Sequence, residues 1–98
     1  MSETGDSSTL LSREVAIVNK RGLHARAAAK FVTLAETFDC CVDVVRDGQS
    51  VNARSIMGLM MLAAGTGTTI TVECTGKEAS AAMDAIAQLV GTRFGEDE

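Results

Sequence analysis

The chain has 98 residues and a formal net charge of −4, a size that suits one domain built on one core. That charge balance argues against a nucleic-acid binder, which needs a basic face, although Lys20, Arg21 and Arg26 gather locally around His24. Three Phe are present with no Trp or Tyr, so alanine, valine and leucine must do most of the packing.

Residues 1–12 are rich in Ser, Thr, Glu and Asp and read as a flexible leader. Residues 14–18 form a first strand in this reading, with Val15 and Ile17 alternating onto one face. After a polar loop over 19–22 the pattern turns helical from Ala25 to about Phe38. There Ala28, Phe31, Val32 and Ala35 recur at helical spacing, and Ala27, Leu34 and Phe38 widen the stripe. A second strand over 40–46 meets a third over 49–52 through Asp47-Gly48, a pair suited to the positive φ angles of a type I′ turn. A short second helix over 55–63 follows, with Gly65 placed to close it in the left-handed conformation. Residues 68–74 alternate again, with Ile70, Val72 and Cys74 facing one way and Thr71 and Glu73 the other. Thr75-Gly76-Lys77-Glu78 has the spacing of a capping box ahead of a third helix, whose stripe is Ala79, Ala82, Met83, Ile86 and Val90. The end, 95–98, reads as a frayed acidic tail, leaving a folded domain over 13–94.

The order is βαββαβα. Alternating strands imply a sheet covered on one face, hence antiparallel pairing with the helices on one side: an α+β, open-faced β-sandwich. The least polar run, 56–65, falls short of the roughly 20 residues needed to cross a bilayer. The N-terminus lacks the apolar centre of a signal peptide, so a cytoplasmic location is expected. Cys40, Cys41 and Cys74 make no even-numbered framework and no C-x-x-C pair, and read as reduced thiols. Cys40 and Cys74 share the inward parity of their strands, and Cys41 faces the open side of the sheet. With a single histidine no zinc site of the usual kind is expected, and no cofactor is implied.

The residue with the most chemistry is that histidine, His24, in Gly22-Leu23-His24-Ala25-Arg26-Ala27-Ala28. It stands where a loop enters a helix, among backbone N–H groups that have no intrahelical acceptor. Those donors and the helix dipole favour a bound anion such as phosphate. A neutral imidazole at that place is a nitrogen nucleophile beside an anion cradle, an arrangement suited to accepting a phosphoryl group. Arg26, two positions on, is placed to reach phosphoryl oxygens; the bland alternative is a solvated helix residue. Ser55 is first of all a helix N-cap. Of Ile56, Met57, Leu59, Met60, Met61 and Leu62, not all can face inward on two helical turns. Met57 and Met60 are the candidates for an exposed apolar patch near His24.

The G-L-H-A-R piece, the run Ser55-Ile56-Met57-Gly58-Leu59-Met60-Met61-Leu62 and the following Ala64-Gly65, together with the element order, resemble the HPr family. These are the histidine phosphocarriers of the bacterial phosphoenolpyruvate-dependent phosphotransferase system. The resemblance spans about residues 13–94 and implies a four-stranded antiparallel sheet under three helices. It implies that His24 takes a phosphoryl group on Nδ1 from phosphorylated enzyme I and passes it to a histidine of an EIIA-type protein. Arg26 matches the family's active-site arginine, and Ser55 the serine that an HPr kinase/phosphorylase modifies in some bacteria. Ala27 stands where the family usually has proline, within the surface that partners would meet along with Met57 and Met60. A carrier that docks through one face is expected to be a monomer, without nucleic acid or membrane insertion.

The alternative within this resemblance is a mainly regulatory homologue of a nitrogen-related system with no role in sugar transport. Asn19-Lys20, Leu59-Met60-Met61-Leu62 and the acidic end lean that way. A third reading is a small ligand-binding domain with an incidental histidine, which predicts no acid-labile phosphorylation.

Overall fold

The computed structural model describes residues 10–98, and nine of those that the sequence assigns to a leader fall outside it. The described part is four strands and three helices: β1 Leu10–Ala16, α1 Ala25–Glu36, β2 Cys41–Arg46, β3 Gln49–Asn52, α2 Ile56–Met61, β4 Thr69–Thr75 and α3 Ala79–Gly91. A short 3-10 turn, Arg93–Gly95, follows α3. All pairings are antiparallel and the sheet order is β1-β4-β2-β3.

The expected α+β open-faced sandwich is therefore present, and its cause is visible in the register. Val15 lies opposite Ile70, Val44 opposite Val72 and Val42 opposite Cys74, all on the helix-covered face. Ile70, Val72 and Cys74 on the inner strand β4 are fully buried. The other face carries Ser12, Glu14, Thr71, Glu73 and Asp43, residues that remain solvated. Helix α3 packs on β1 and β4, and α1 on α2 and α3; Ala27, Ala28 and Ala35 from α1, and Ala79 and Ala82 from α3, are buried in the same core as Phe31, Met83, Ile86 and Val90. The alanines let the elements pack closely, which compensates for the shortage of aromatic residues. Cys40 and Cys74 are buried and Cys41 is exposed, as their parity implies. Burial pushes the Cys74 thiol up to about 11, so it stays protonated and serves as packing.

Several local expectations need correction. β1 begins at Leu10, inside the expected leader, because Leu10, Leu11 and Ser12 find backbone partners in Thr75, Cys74 and Glu73. α1 stops at Glu36, where Thr37 turns its N–H and hydroxyl back onto the helix carbonyls. The capping box before α3 does not form. Glu78 is itself the N-cap, and its carboxylate accepts from the Asp39 N–H at 2.6 Å, tying the end of α1 to the start of α3. Gly65 does not close α2. The helix ends earlier, so the left-handed position falls on Ala63, with φ 53°.

The loop before α1 is held by Gly22. Its φ of +68° is left-handed, and a Cβ there would meet the Ala64 carbonyl oxygen at 2.6 Å and the Gly65 Cα at 2.8 Å. Only a glycine lets the loop lie against 64–65, where the Leu23 N–H donates to Ala64 O at 2.9 Å. Gly22→Ala is therefore expected to lower unfolding free energy by about 2–3 kcal/mol, measured by urea denaturation against the wild type.

Candidate functional site

His24 is the N-cap of α1, with extended backbone at φ −76° and ψ 179°. Its carbonyl accepts from the Ala28 N–H, which starts the helix, and its Nδ1 accepts from the Arg26 N–H at 3.3 Å. The functional candidate thus supplies the cap that Ser, Thr, Asp or Asn usually supplies. By position, the first-turn N–H groups of Ala25 and Ala27 also lack intrahelical acceptors.

On its other edge the ring meets Glu96: Nε2 lies 2.5 Å from Glu96 Oε2. Because Nδ1 faces a donor, the hydrogen belongs on Nε2, which donates to the carboxylate. The lone pair is then on Nδ1, at the helix end. Glu96 Oε1 in turn accepts from Asn19 Nδ2 at 3.0 Å, and the same amide donates to Gly22 O at 2.8 Å. Asn19 is completely buried. The hydrogen bond from Asn19, reinforced by that from His24 and by the nearby Arg21 charge, holds the Glu96 carboxyl below the ordinary glutamate range. Partial burial opposes this.

The end of the chain is brought here by a tight reversal. Arg93, Phe94 and Gly95 are consecutive left-handed residues with φ of 61°, 56° and 76°. Phe94 is driven fully into the core, and Lys30 Nζ donates to its carbonyl at 2.6 Å. The Lys20 N–H donates to Glu98 O, and its ammonium lies 3.3 Å from Glu98 Oε1. The tail expected to fray at 95–98 is instead packed across the loop before α1, a correction that follows from Phe94 acting as an apolar anchor. A cleft of about 810 Å³ opens there, walled by Lys20, Arg21, Arg26 and Lys30 against Gly95, Glu96, Asp97 and Glu98. Among the described residues the Arg26 guanidinium has no carboxylate partner.

Ser55 is exposed and caps α2, its Oγ accepting from the Gly58 N–H at 2.9 Å. Leu59 and Leu62 are buried, while Ile56, Met57, Met60 and Met61 are exposed; Met57 reaches 69%. Met57 and Met60 therefore lie on an apolar outer face of α2, a helix that packs on α1. Ala27 does not join that face. Its side chain is fully buried under α1, because the first helical turn points it into the core, so it offers partners no side-chain surface. The sequence reading missed Asn19 and Glu96. The available signal was a short Asx residue ahead of the histidine loop and a lone Phe near the end, too far apart in the chain to be linked by spacing.

A loop histidine, a helix N-terminus and a ring of cations on this sheet can be compared with known proteins. The family profile described as "PTS HPr component phosphorylation site" matches residues 11–92. The chain belongs to the HPr family. Phosphocarrier protein HPr of Cupriavidus necator is 52% identical over 89 residues, covering 91% of this chain and 100% of that protein. Phosphocarrier protein NPr of Shewanella violacea is 48% identical over 88 residues, covering 90% and 97%. Among solved structures, HPr from Thermoanaerobacter tengcongensis superposes with a TM-score of 0.86 at 38% identity, covering 90% of this chain and 99% of that one. HPr from Bacillus anthracis gives a TM-score of 0.81 at 42% identity, covering 85% and 99%. The chain is accordingly a phosphocarrier of the phosphotransferase system, a carrier and not a catalyst. Among the described residues no helix is long and apolar enough to cross a membrane.

The seated carboxylate of Glu96 has a pH signature. Folding lowers its pKa, so its contribution is complete above the unfolded-state value and is lost as pH falls through the lower folded value. Glu96→Gln should cost about 1–2 kcal/mol at neutral pH. In urea titrations that gap should close on acidification below the ordinary glutamate range.

Proposed function

We propose that His24 Nδ1 accepts a phosphoryl group from phosphorylated enzyme I and hands it to a histidine on an EIIA-type protein. The observation that carries this reading is the placement of the Nδ1 lone pair. It points to the N-terminus of α1 while the ring's proton is held on Nε2 by Glu96. A phosphoryl group on Nδ1 would lie among the first-turn N–H groups, which favour negative charge. Arg26, exposed and without a carboxylate partner among the described residues, supplies a guanidinium for its oxygens. These contacts are few and partly solvated, which suits a carrier that must release what it holds. The exposed face of α2, with Met57 and Met60, is the docking surface in this reading, since methionine adapts to successive partners. The carrier acts as a monomer in the cytoplasm.

The regulatory branch is a second reading, favoured by the relative named NPr and by the packing of Asn19 against the acidic end. The two separate by acceptor: a sugar carrier passes the group to sugar-specific permease components, and a regulatory member to a soluble EIIA-type partner.

Intact-mass spectrometry after incubation with phosphoenolpyruvate and enzyme I tests the central step. One acid-labile phosphoryl group is expected on the wild type and none on His24→Ala. An unmodified wild type with a competent enzyme I from the same organism would sink the proposal. Ser55 enters as a regulatory site for an HPr kinase/phosphorylase, because its exposed hydroxyl stands at the border of the α2 face. Ser55→Asp keeps an N-cap acceptor and adds charge to that face. It should leave stability within about 0.5 kcal/mol and slow phosphoryl transfer about tenfold in a stopped assay with enzyme I.

A further inference from the structure

We propose that Glu96 and Asn19 are positioning residues that fix His24 as a single tautomer with its lone pair on Nδ1. The inference rests on the carrier reading for its kinetic consequence, but its structural content concerns the unmodified protein. Imidazole has two nitrogens, and a histidine in a loop exchanges its proton between them. Here one edge is committed: Nε2 faces Glu96 Oε2 at 2.5 Å, and Glu96 Oε1 is gripped by the Asn19 amide at 3.0 Å. The order amide, carboxylate, imidazole, nucleophilic nitrogen has the logic of the serine-protease aspartate, which holds its histidine in the required tautomer and orientation.

Each member of this chain of bonds is held from outside. The Asn19 main chain receives the Gly22 N–H at 3.1 Å and the Thr66 hydroxyl. Both Nδ2 hydrogens are spent, on Gly22 O and on Glu96. The amide cannot be turned over, since Oδ1 would then face two acceptors. The buried Oδ1 has no partner among the described residues. Leaving a buried acceptor unpaired is costly, and the fold accepts that cost at the one residue that seats the carboxylate. On the other side Glu96 is delivered by the left-handed turn, the buried Phe94 and the Lys30 bond to Phe94 O. The Glu96 N–H closes the turn on Arg93 O at 2.9 Å. The pairing of Asn19 with Glu96 spans 77 positions of sequence, so it exists only in the folded chain.

The chemistry gains in both directions. On uptake, the Nδ1 lone pair forms the N–P bond while the bond from phosphorus to the donor's imidazole nitrogen breaks, its electron pair leaving with the donor. The Nε2 proton stays in place. The ring becomes a cation as it gains the phosphoryl group, and the Glu96 carboxylate already faces that charge. On release, the electron pair of the N–P bond returns to Nδ1 and the starting tautomer is restored. No proton has to be found or discarded at His24 in either step.

The test reads tautomer and rate separately. Long-range nitrogen–proton spectra of the imidazole, on unphosphorylated protein, should show Nε2–H alone in the wild type. Glu96→Ala should show a mixture of tautomers and take up the phosphoryl group from enzyme I about tenfold more slowly. Asn19→Ala should shift the tautomer the same way, and Asn19→Ala combined with Glu96→Ala should be no slower than Glu96→Ala alone, because Asn19 acts through Glu96. If Asn19→Ala does not fold, the Glu96→Ala spectra decide. Identical tautomer signals in the wild type and Glu96→Ala would overturn the proposal. So would a loss from Asn19→Ala that is as large without Glu96 as with it. A wild type that shows the single tautomer but takes no phosphoryl group would overturn the carrier reading instead and leave the positioning intact.

Discussion

The site depends on one constraint: His24, the residue we propose as the nucleophile, is also the cap of the helix that would serve it. His24 begins α1 with its carbonyl and satisfies the Arg26 N–H with Nδ1. Capping fixes the backbone in the extended region and orients the ring along the helix end. It also means that the lone pair and the helix donors point at one another. In the proposed carrier state, a phosphoryl group on Nδ1 takes that lone pair away from the Arg26 N–H. It returns oxygens to the same place, so the helix exchanges one acceptor for others. Loading and capping use the same few donors, and neither state leaves the helix end bare.

That constraint can be met only if the loop entering α1 is rigid, and much of the fold contributes to this. Gly22 lies against 64–65 because no Cβ intervenes, which links the loop to the chain leaving α2. Leu23 is buried and Asn19 is completely buried, so the loop on either side of Lys20 and Arg21 is anchored while those cations stay exposed. The apolar outer face of α2 is then held at a fixed place relative to α1. The buried position of Ala27 fits the same logic. A first-turn residue there is part of the packing under the helix, and its effect on the site runs through backbone geometry, not through contact with a partner.

The strands and helices were legible where burial has a simple period. Residues 70, 72 and 74 alternate because β4 is an inner strand with one covered face, and the α1 stripe repeats because one side of that helix is buried in the core. His24 was legible because a loop-to-helix boundary could be read around it. Boundaries set by long-range partners were not. The start of β1 at Leu10 depends on Thr75, and the role of Glu78 depends on Asp39. The same limit hid half of the site. Glu96 resembles any acidic residue near a chain end, and only the burial of Phe94 and the reversal through three left-handed residues bring it to His24.

An acidic tail beside an anion site looks self-defeating, since a carboxylate there should repel what the cations attract. The geometry resolves the conflict through the width of the imidazole ring. Glu96 sits at Nε2, while the helix N–H groups sit at Nδ1, so the ring separates the carboxylate from the place an anion would take. Its negative charge is also engaged by the Asn19 amide and by the Nε2 hydrogen, and Arg21 lies near. Glu98 is matched with Lys20 in the same way. Arg26, on the first turn of α1, has no carboxylate partner among the described residues. The tail thus engages Lys20, Lys30 and Nε2, and leaves Nδ1 to the helix end. In the proposed carrier role, a chain with net charge −4 keeps in this way a locally receptive site for a phosphoryl group.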